Sequence, residues 1–339
     1  MPRITVFIVA AFALVLATAG ASAQSVEDFY RGRTVSLIMG TGPGGSYDLY
    51  GRLIAQHLPR FIPGNPNIVV EHMPGAGGAT AGNYIFGPAP QDGSKILLAH
   101  ALPLIEKLQP QSIRFDSRKF KWLGAYDQIS QVLAIWSTAP GTTISDLKAR
   151  DLVLGTMGRS HLSYQWAAML KEALDGKFRL ISGYPTGGDL NLAMERGEIS
   201  GWVIAWENLI GGNASWLKEK KVVIPVVFTL ARMPELPDVP TLIELSQGEA
   251  REIAGFLAAG TPHARALALG PNVPEDRARA LRAAFDAMVR DPAFLEDATR
   301  RSLAISPRTA QEVQALTEKI TGASPAFVDK VKAAVGATD

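Results

Sequence analysis

The chain has 339 residues, no cysteine, and 34 basic against 32 acidic side chains. Its length suggests about two domains; a hydrophobic share of 47% can fill their cores, and 19% charged residues argues against disorder. A formal charge of +2 gives no electrostatic footprint for nucleic acid or an anionic membrane surface, and zero cysteine excludes disulfides, thiolate metal sites, cysteine nucleophiles and a lipid-modified N-terminal cysteine.

Residues 1–23 read as a secretory signal peptide. Arg3 gives a positive start, residues 4–16 form an apolar run, and Ala21-Ser22-Ala23 is a small-residue cleavage signal. The run is short for a bilayer span, which weighs against an uncleaved anchor. Cleavage near Ala23/Gln24 predicts an exported, nearly neutral chain without a lipid anchor, placed in a Gram-negative periplasm.

Strands and helices then alternate. Thr34–Met39 reads as a buried strand, followed by the loop Gly40-Thr41-Gly42-Pro43-Gly44-Gly45 and a helix starting near Ser46. Residues 67–71 form a second strand, Pro74-Gly75-Ala76-Gly77-Gly78 a second loop, and residues 96–99 a third strand ending at His100. The pattern recurs. A strand at 151–155 leads into the loop 156–161 and a helix carrying Leu162, Trp166, Met169, Leu170 and Leu174. Arg179–Ser182 leads into Tyr184-Pro185-Thr186-Gly187-Gly188 and another helix, and residues 222–229 read as a strand. The tail from Pro274 is helical. Such alternation implies an α/β fold with parallel sheets and helices on both faces.

Four Gly-rich loops thus each join a strand to a helix start. Unpaired N–H groups there favour an anion, and ligands of open α/β sheets bind beyond the carboxyl ends of the strands. For one loop alone a plain tight turn is the simpler reading; four together predict a cleft between two lobes suited to a carboxylate. Thr41, Ser46, Thr156, Ser160 and Thr186 would add hydroxyls. We expect Ser46 and Thr186, from opposite lobes, both to contact a ligand carboxylate.

Other chemistries fit less well. The loop at 40–45 satisfies the dinucleotide pattern G-x-G-x-x-G, with Glu71 where a ribose-binding acid would stand. Pro43 removes an amide donor, and the second Gly loop has no place in that pattern. No histidine pair has helical metal-ligand spacing. His57, on a helix near polar residues, is expected at the surface. His100 and His161 fall in cleft loops, where each either bonds ligand or braces its loop. Gly158-Arg159-Ser160-His161-Leu162 lacks the last glycine of a nucleophile elbow, so a hydrolase using Ser160 and His161 is only an alternative. Asp48 and Asp189 suit the positive ends of their helices. Arg159 is the one cation in these loops, either facing a second ligand carboxylate or solvated. Tyr47 is the best aromatic candidate for the cleft; Trp202 and Trp206 read first as core.

Several segments resemble the solute-binding proteins of tripartite tricarboxylate transporters (Bug-type receptors). Gly42-Pro43-Gly44-Gly45-Ser46-Tyr47-Asp48, with Arg52 and Ala55, is similar to their first loop and helix; Val69 through Gly78 to their VVENxPGAGG segment; Pro90-Gln91-Asp92-Gly93 to their P-DG turn; and Leu236 through Glu244 to their LPDVPTxxE element. The loop Gly155 to His161 is a shortened form of theirs. His72-Met73, Arg159 and Tyr184-Pro185-Thr186 depart from the pattern where a ligand would be chosen.

The resemblance implies a type II periplasmic-binding-protein fold, with two α/β lobes, a ligand cleft between them and two chain crossovers near 126–133 and 229–236. Lobe one would comprise 24–127 and 234–339, lobe two 128–233. It implies a non-enzymatic, monomeric receptor for a small carboxylate (a di- or tricarboxylate or an aromatic acid), with no cofactor, no metal and no nucleic acid, delivering to membrane permease subunits; a sensor feeding a signalling partner is the alternative. The candidate ligand contacts are Thr41, Gly44, Gly45, Ser46, Tyr47, Gly77, Gly78 and His100 from lobe one. Lobe two would supply Thr156, Arg159, Ser160, His161, Thr186, Gly187 and Glu207.

Overall fold

A computed structural model of the chain describes residues 24–43, 45–158 and 161–336, Ser46 by its backbone only. The predicted signal peptide and the site candidates Gly44, Arg159 and Ser160 lie outside the described residues. Among the described residues, no helix is long and apolar enough to cross a membrane.

Eleven strands form two sheets among these residues. The first contains β1 (Thr34–Met39), β2 (Asn67–His72), β3 (Lys95–Leu98), β4 (Lys121–Ala125), β10 (Ala266–Leu269) and β11 (Arg308–Thr309), in the order β11-β4-β10-β3-β1-β2. The second contains β5 (Gln131–Trp136), β6 (Val153–Thr156), β7 (Arg179–Ser182), β8 (Gly201–Ala205) and β9 (Val222–Val223), in the order β7-β6-β8-β5-β9. β1 lies between two parallel neighbours and is buried from Val35 to Met39, which accounts for its continuous apolar run.

The sheets are mixed, not wholly parallel as the alternation suggested. β10 runs antiparallel to β3 and β4, and β5 antiparallel to β8 and β9. The crossings explain both. β1, β3 and β4 run toward the cleft; a strand whose chain arrives from the cleft must run away from it. β5 enters after the crossing at 126–130, and β10 enters after the turn Pro262–Arg265.

The second crossing differs from the expected 229–236. Val227 N donates to Pro240 O and Leu242 N to Val227 O, so the intervening chain folds back on the second sheet. The chain rejoins the first sheet only at β10. Helix Gly248–Ala258 presents Ile253, Phe256 and Leu257 to the core containing Trp166, Met169 and Leu170 of helix Leu162–Leu174. Val331 of helix Pro325–Ala334 joins that core. Residues that sequence grouped with lobe one therefore pack on lobe two. Periodicity shows that a helix has an apolar stripe, not which sheet the stripe covers.

His57 is not at the surface. It is 6% exposed, and its Nε2 lies 2.9 Å from Asp297 Oδ2, tying helix Gly45–His57 to helix Pro292–Arg300. Its place in the last turn of its helix and its polar neighbours hid a long-range partner.

Candidate ligand-binding cleft

The loops after β1, β2 and β3 meet at the carboxyl edge of the first sheet. His72, at the end of β2, donates from Nδ1 to Thr41 O (2.9 Å), and its Nε2 lies 3.2 Å from Asp48 Oδ1. Arg52 Nε donates to Asp48 Oδ2 at 3.0 Å. Asp48 thus braces the first loop in addition to suiting its helix end. Thr41 Oγ1 is buried with no hydrogen-bond partner. Glu71, an exposed side chain, is engaged by Ser36 Oγ and by Lys95 Nζ, so the acid of the dinucleotide pattern is paired with neighbouring strands.

Close backbone approach sets His100. Gly78 has φ 99°, and a Cβ there would fall 2.7 Å from His100 Cγ; a Cβ on Gly40 would fall 2.8 Å from Gly78 Cα. Both positions require glycine for the imidazole to sit between the loops. We predict that Gly78→Ala, by combining a left-handed alanine with displacement of His100, lowers stability by about 1–3 kcal/mol and weakens ligand-induced protection. Urea midpoints and ligand-dependent melting would show both; an unchanged melting shift would contradict the second effect.

His100 begins a stack through the cleft floor. Its ring lies parallel to Tyr47 with centroids 4.3 Å apart. The Arg265 guanidinium lies 4.4 Å from the Tyr47 ring centre and 4.6 Å from that of Tyr50. Arg265 Nη2 donates to Glu207 Oε1 at 3.1 Å, with both side chains buried. Arg265 immediately precedes β10 in lobe one and Glu207 stands in the first turn of helix Trp206–Gly212 in lobe two, so this ion pair spans the lobes. Burial, and then the Arg265 charge, hold His100 down to about 4, so it is neutral at pH 7. Burial pushes the Tyr47 phenol up to about 12. His100 Nε2 has no hydrogen-bond partner.

In lobe two, three candidates already serve the scaffold. Thr156 is fully buried and its hydroxyl lies 2.9 Å from Ser182 Oγ, linking β6 to β7. Thr186 caps helix Gly187–Glu195: Asp189 N donates to its Oγ1, and that hydroxyl donates to the Asp189 carboxylate at 2.6 Å. His161 caps helix Leu162–Leu174 by accepting the Ser163 N–H at Nδ1 (3.1 Å). In the neutral ring this leaves the proton on Nε2. The nitrogen a serine nucleophile would need as a base is therefore occupied or protonated.

Two chambers open between the lobes. One, of about 380 Å³, brings together Tyr47, Gly77 and His100 with His161, Leu162 and Gln165, with Ala101, Leu104, Ile105 and Ile129 along its side. The other, of about 390 Å³, places Leu49, Ser302 and Leu303 against Gly187, Gly188, Trp202, Glu207 and Asn208. The floor stack and the Arg265–Glu207 pair stand where residues of the two chambers meet. Thr41, Gly78 and Thr186 line neither chamber. The Ser46 hydroxyl proposed to face Thr186 is not described. Sequence reasoning missed Arg265 and Gln165. The one signal for Arg265 was a cation placed directly before the apolar run 266–269. Among the described residues, no group of three His, Asp or Glu is arranged to hold a metal ion.

No family model matches the chain. A UPF0065 protein from the ttuE-ttuC' intergenic region of Agrobacterium vitis is 26% identical over 225 residues, 64% of this chain and 63% of that relative, so the match spans less than two thirds of its length. A UPF0065 protein of Bordetella bronchiseptica is 22% identical over 259 residues, covering 74% of this chain and 73% of the relative. Among solved structures, a TctC solute binding protein from Polaromonas superposes with TM-score 0.70 at 18% identity, covering 89% of this chain and 99% of that one. MatC from Rhodopseudomonas palustris with bound malate superposes with TM-score 0.59 at 20% identity, covering 88% and 99%. The two-lobed α/β architecture is the type II periplasmic-binding-protein fold of these structures.

Proposed function

We propose that the chain is a monomeric periplasmic solute receptor that captures a small carboxylate by lobe closure and delivers it, unchanged, to the permease subunits of a tripartite tricarboxylate-type transporter. The observation that carries this reading is the chamber in which Tyr47, Gly77 and His100 of one lobe face His161 and Gln165 of the other. A ligand held by both walls binds the closed form better than the open one and shifts the population toward closure. The malate named with MatC supports a carboxylate as the ligand class. The chamber's polar groups are mostly neutral: His100 is uncharged at pH 7, and its Nε2 and the nearby Thr41 Oγ1 lack partners. Neutral donors hold a carboxylate while permitting release, whereas a dedicated buried cation would need its own desolvation compensated.

A thermal-shift screen of the mature protein against mono-, di- and tricarboxylates tests the proposal. A ligand at 100 times its dissociation constant adds about 2.7 kcal/mol of stability, which for a chain of this size raises Tm by roughly 4 °C. Protection by at least one acid is the expected result; a flat response across the panel would remove the basis of the assignment.

A further inference from the structure

A third cavity, of about 320 Å³, lies at the first crossing. Its walls come from three parts of the chain: Asp127 and Gln128 of the crossing, Ile305 beside the lobe-one core, and Trp206, Glu207 and Met233 of lobe two. Two of its polar atoms are acceptors in need of a donor. The Glu207 side chain is only 6% exposed; its Oε1 accepts from Arg265, and its Oε2 is buried with no hydrogen-bond partner among the described residues. Gln128 Oε1 is buried and partnerless in the same way. Asp127, itself buried, brings a second carboxyl group, whose Oδ2 already lies 3.1 Å from the Tyr50 hydroxyl. A buried carboxylate oxygen without a donor is costly, and a donor that also carries positive charge relieves it most. Chelation of a metal is not the remedy, because no group of three His, Asp or Glu is arranged for one among the described residues. The apolar walls beside the acceptors suit a short alkyl stem.

We propose that this cavity is a second binding site, for a primary alkylammonium group, with Glu207 Oε2 and Gln128 Oε1 accepting from its N–H donors and Trp206, Met233 and Ile305 covering its alkyl stem. The site is separate from the receptor reading, which rests on the first chamber. Because its walls come from both lobes and from the crossing between them, it is complete only while the lobes hold this arrangement.

The test follows the melting temperature of the mature wild-type protein against n-butylammonium chloride at constant ionic strength, with sodium chloride, tetramethylammonium chloride and butan-1-ol as controls. At pH 8, above the value of about 7 to which burial raises Asp127, both carboxyl groups carry charge, and an alkylamine keeps its proton as lysine does. A saturable rise is expected with n-butylammonium, half complete at a concentration at least about tenfold lower than with any control, because only this probe joins charge to N–H donors. Glu207→Gln, checked for native circular dichroism, should raise that concentration about tenfold; should it not fold, Gln128→Met, which leaves the Arg265 pair intact, should raise it about fivefold. The wild-type comparison needs no variant. Equal responses to all the salts, or none to n-butylammonium, overturn the inference. Equal protection by butan-1-ol overturns it too, since a neutral donor such as water then fills the cavity, and so does an unchanged concentration in the folded variant, which places the amine elsewhere. Each of these outcomes leaves the carboxylate screen, and the receptor reading it tests, standing.

Discussion

Replacing Arg265 with methionine should destabilise the protein by about 3–5 kcal/mol, the cost of leaving a buried carboxylate without its partner. Arg265 is 1% exposed and its guanidinium is held between Tyr47 and Tyr50 while bonded to Glu207. Removing it deletes two ring contacts and leaves Glu207 charged and almost wholly buried without its partner. The double variant Arg265→Met with Glu207→Gln should recover a large part of the loss, because the uncompensated charge is gone. A coupling of about 2 kcal/mol or more between the two positions is expected. Urea unfolding of the four proteins at one pH provides the cycle. If the single variant stays within about 1 kcal/mol of wild type, as an exposed pair would, or if the two effects add without coupling, the ion pair does not hold the lobes as its geometry indicates. Because Arg265 belongs to one lobe and Glu207 to the other, the single variant should also populate open forms, giving a larger radius of gyration by solution scattering.

The strand-to-helix loops were legible because they combine apolar β runs with glycine clusters. β1 and β7 lie at the residues expected, and Gly77, His161, Gly187 and Gly188, from three of the four loops, line the two chambers. β4, β5, β8 and β10 were not read, and the strand expected over 222–229 is only the two-residue β9. β10 is four residues long, two of them alanine, and is strand only because two neighbours hold it. The direction of β5 and β10 depends on where the chain crosses between lobes, a property of the whole fold. The hydroxyl candidates divide for a local reason. Thr186 stands three residues before Asp189, the spacing of a capping box, so its use within the helix end was written in the sequence. The partner of Thr156 lies on β7 and was not. Arg265 was hidden because arginine is seldom buried; only the convergence of Tyr47, Tyr50 and Glu207 makes burial tolerable.

Asp127→Asn should make the protein more stable than wild type at pH 8 while matching it more closely at pH 4. Asp127 begins the first crossing between lobes and is 4% exposed. Burial raises its carboxyl to about 7, with the Glu207 charge adding to the rise; the Gln128 N–H, Arg265 and Tyr50 act against it. The hydrogen bonds agree. Tyr50 OH lies 2.8 Å from Ala304 O, which can only accept, and 3.1 Å from Asp127 Oδ2. The phenol has one proton; if it goes to Ala304, the contact with Asp127 is satisfied when Asp127 carries a proton and donates. An acid raised on folding binds its proton more strongly in the folded state. Its contribution is full below the unfolded value of 3.8, falls as pH rises, and is lost above about 7. That loss is on the order of 2–4 kcal/mol, from a shift of about three units at 1.36 kcal/mol each, discounted for relaxation. His100 and His263, both held down to about 4 by burial, act with the opposite sign below pH 6.5. The wild-type profile alone therefore mixes the two slopes, and the difference between variant and wild type isolates Asp127. An asparagine amide can donate to Tyr50 as the protonated acid does, without a charge to bury at high pH. Urea unfolding of both proteins from pH 4 to 8 should give curves that diverge as pH rises; parallel curves would mean that Asp127 is ionised throughout and that Tyr50 donates to it.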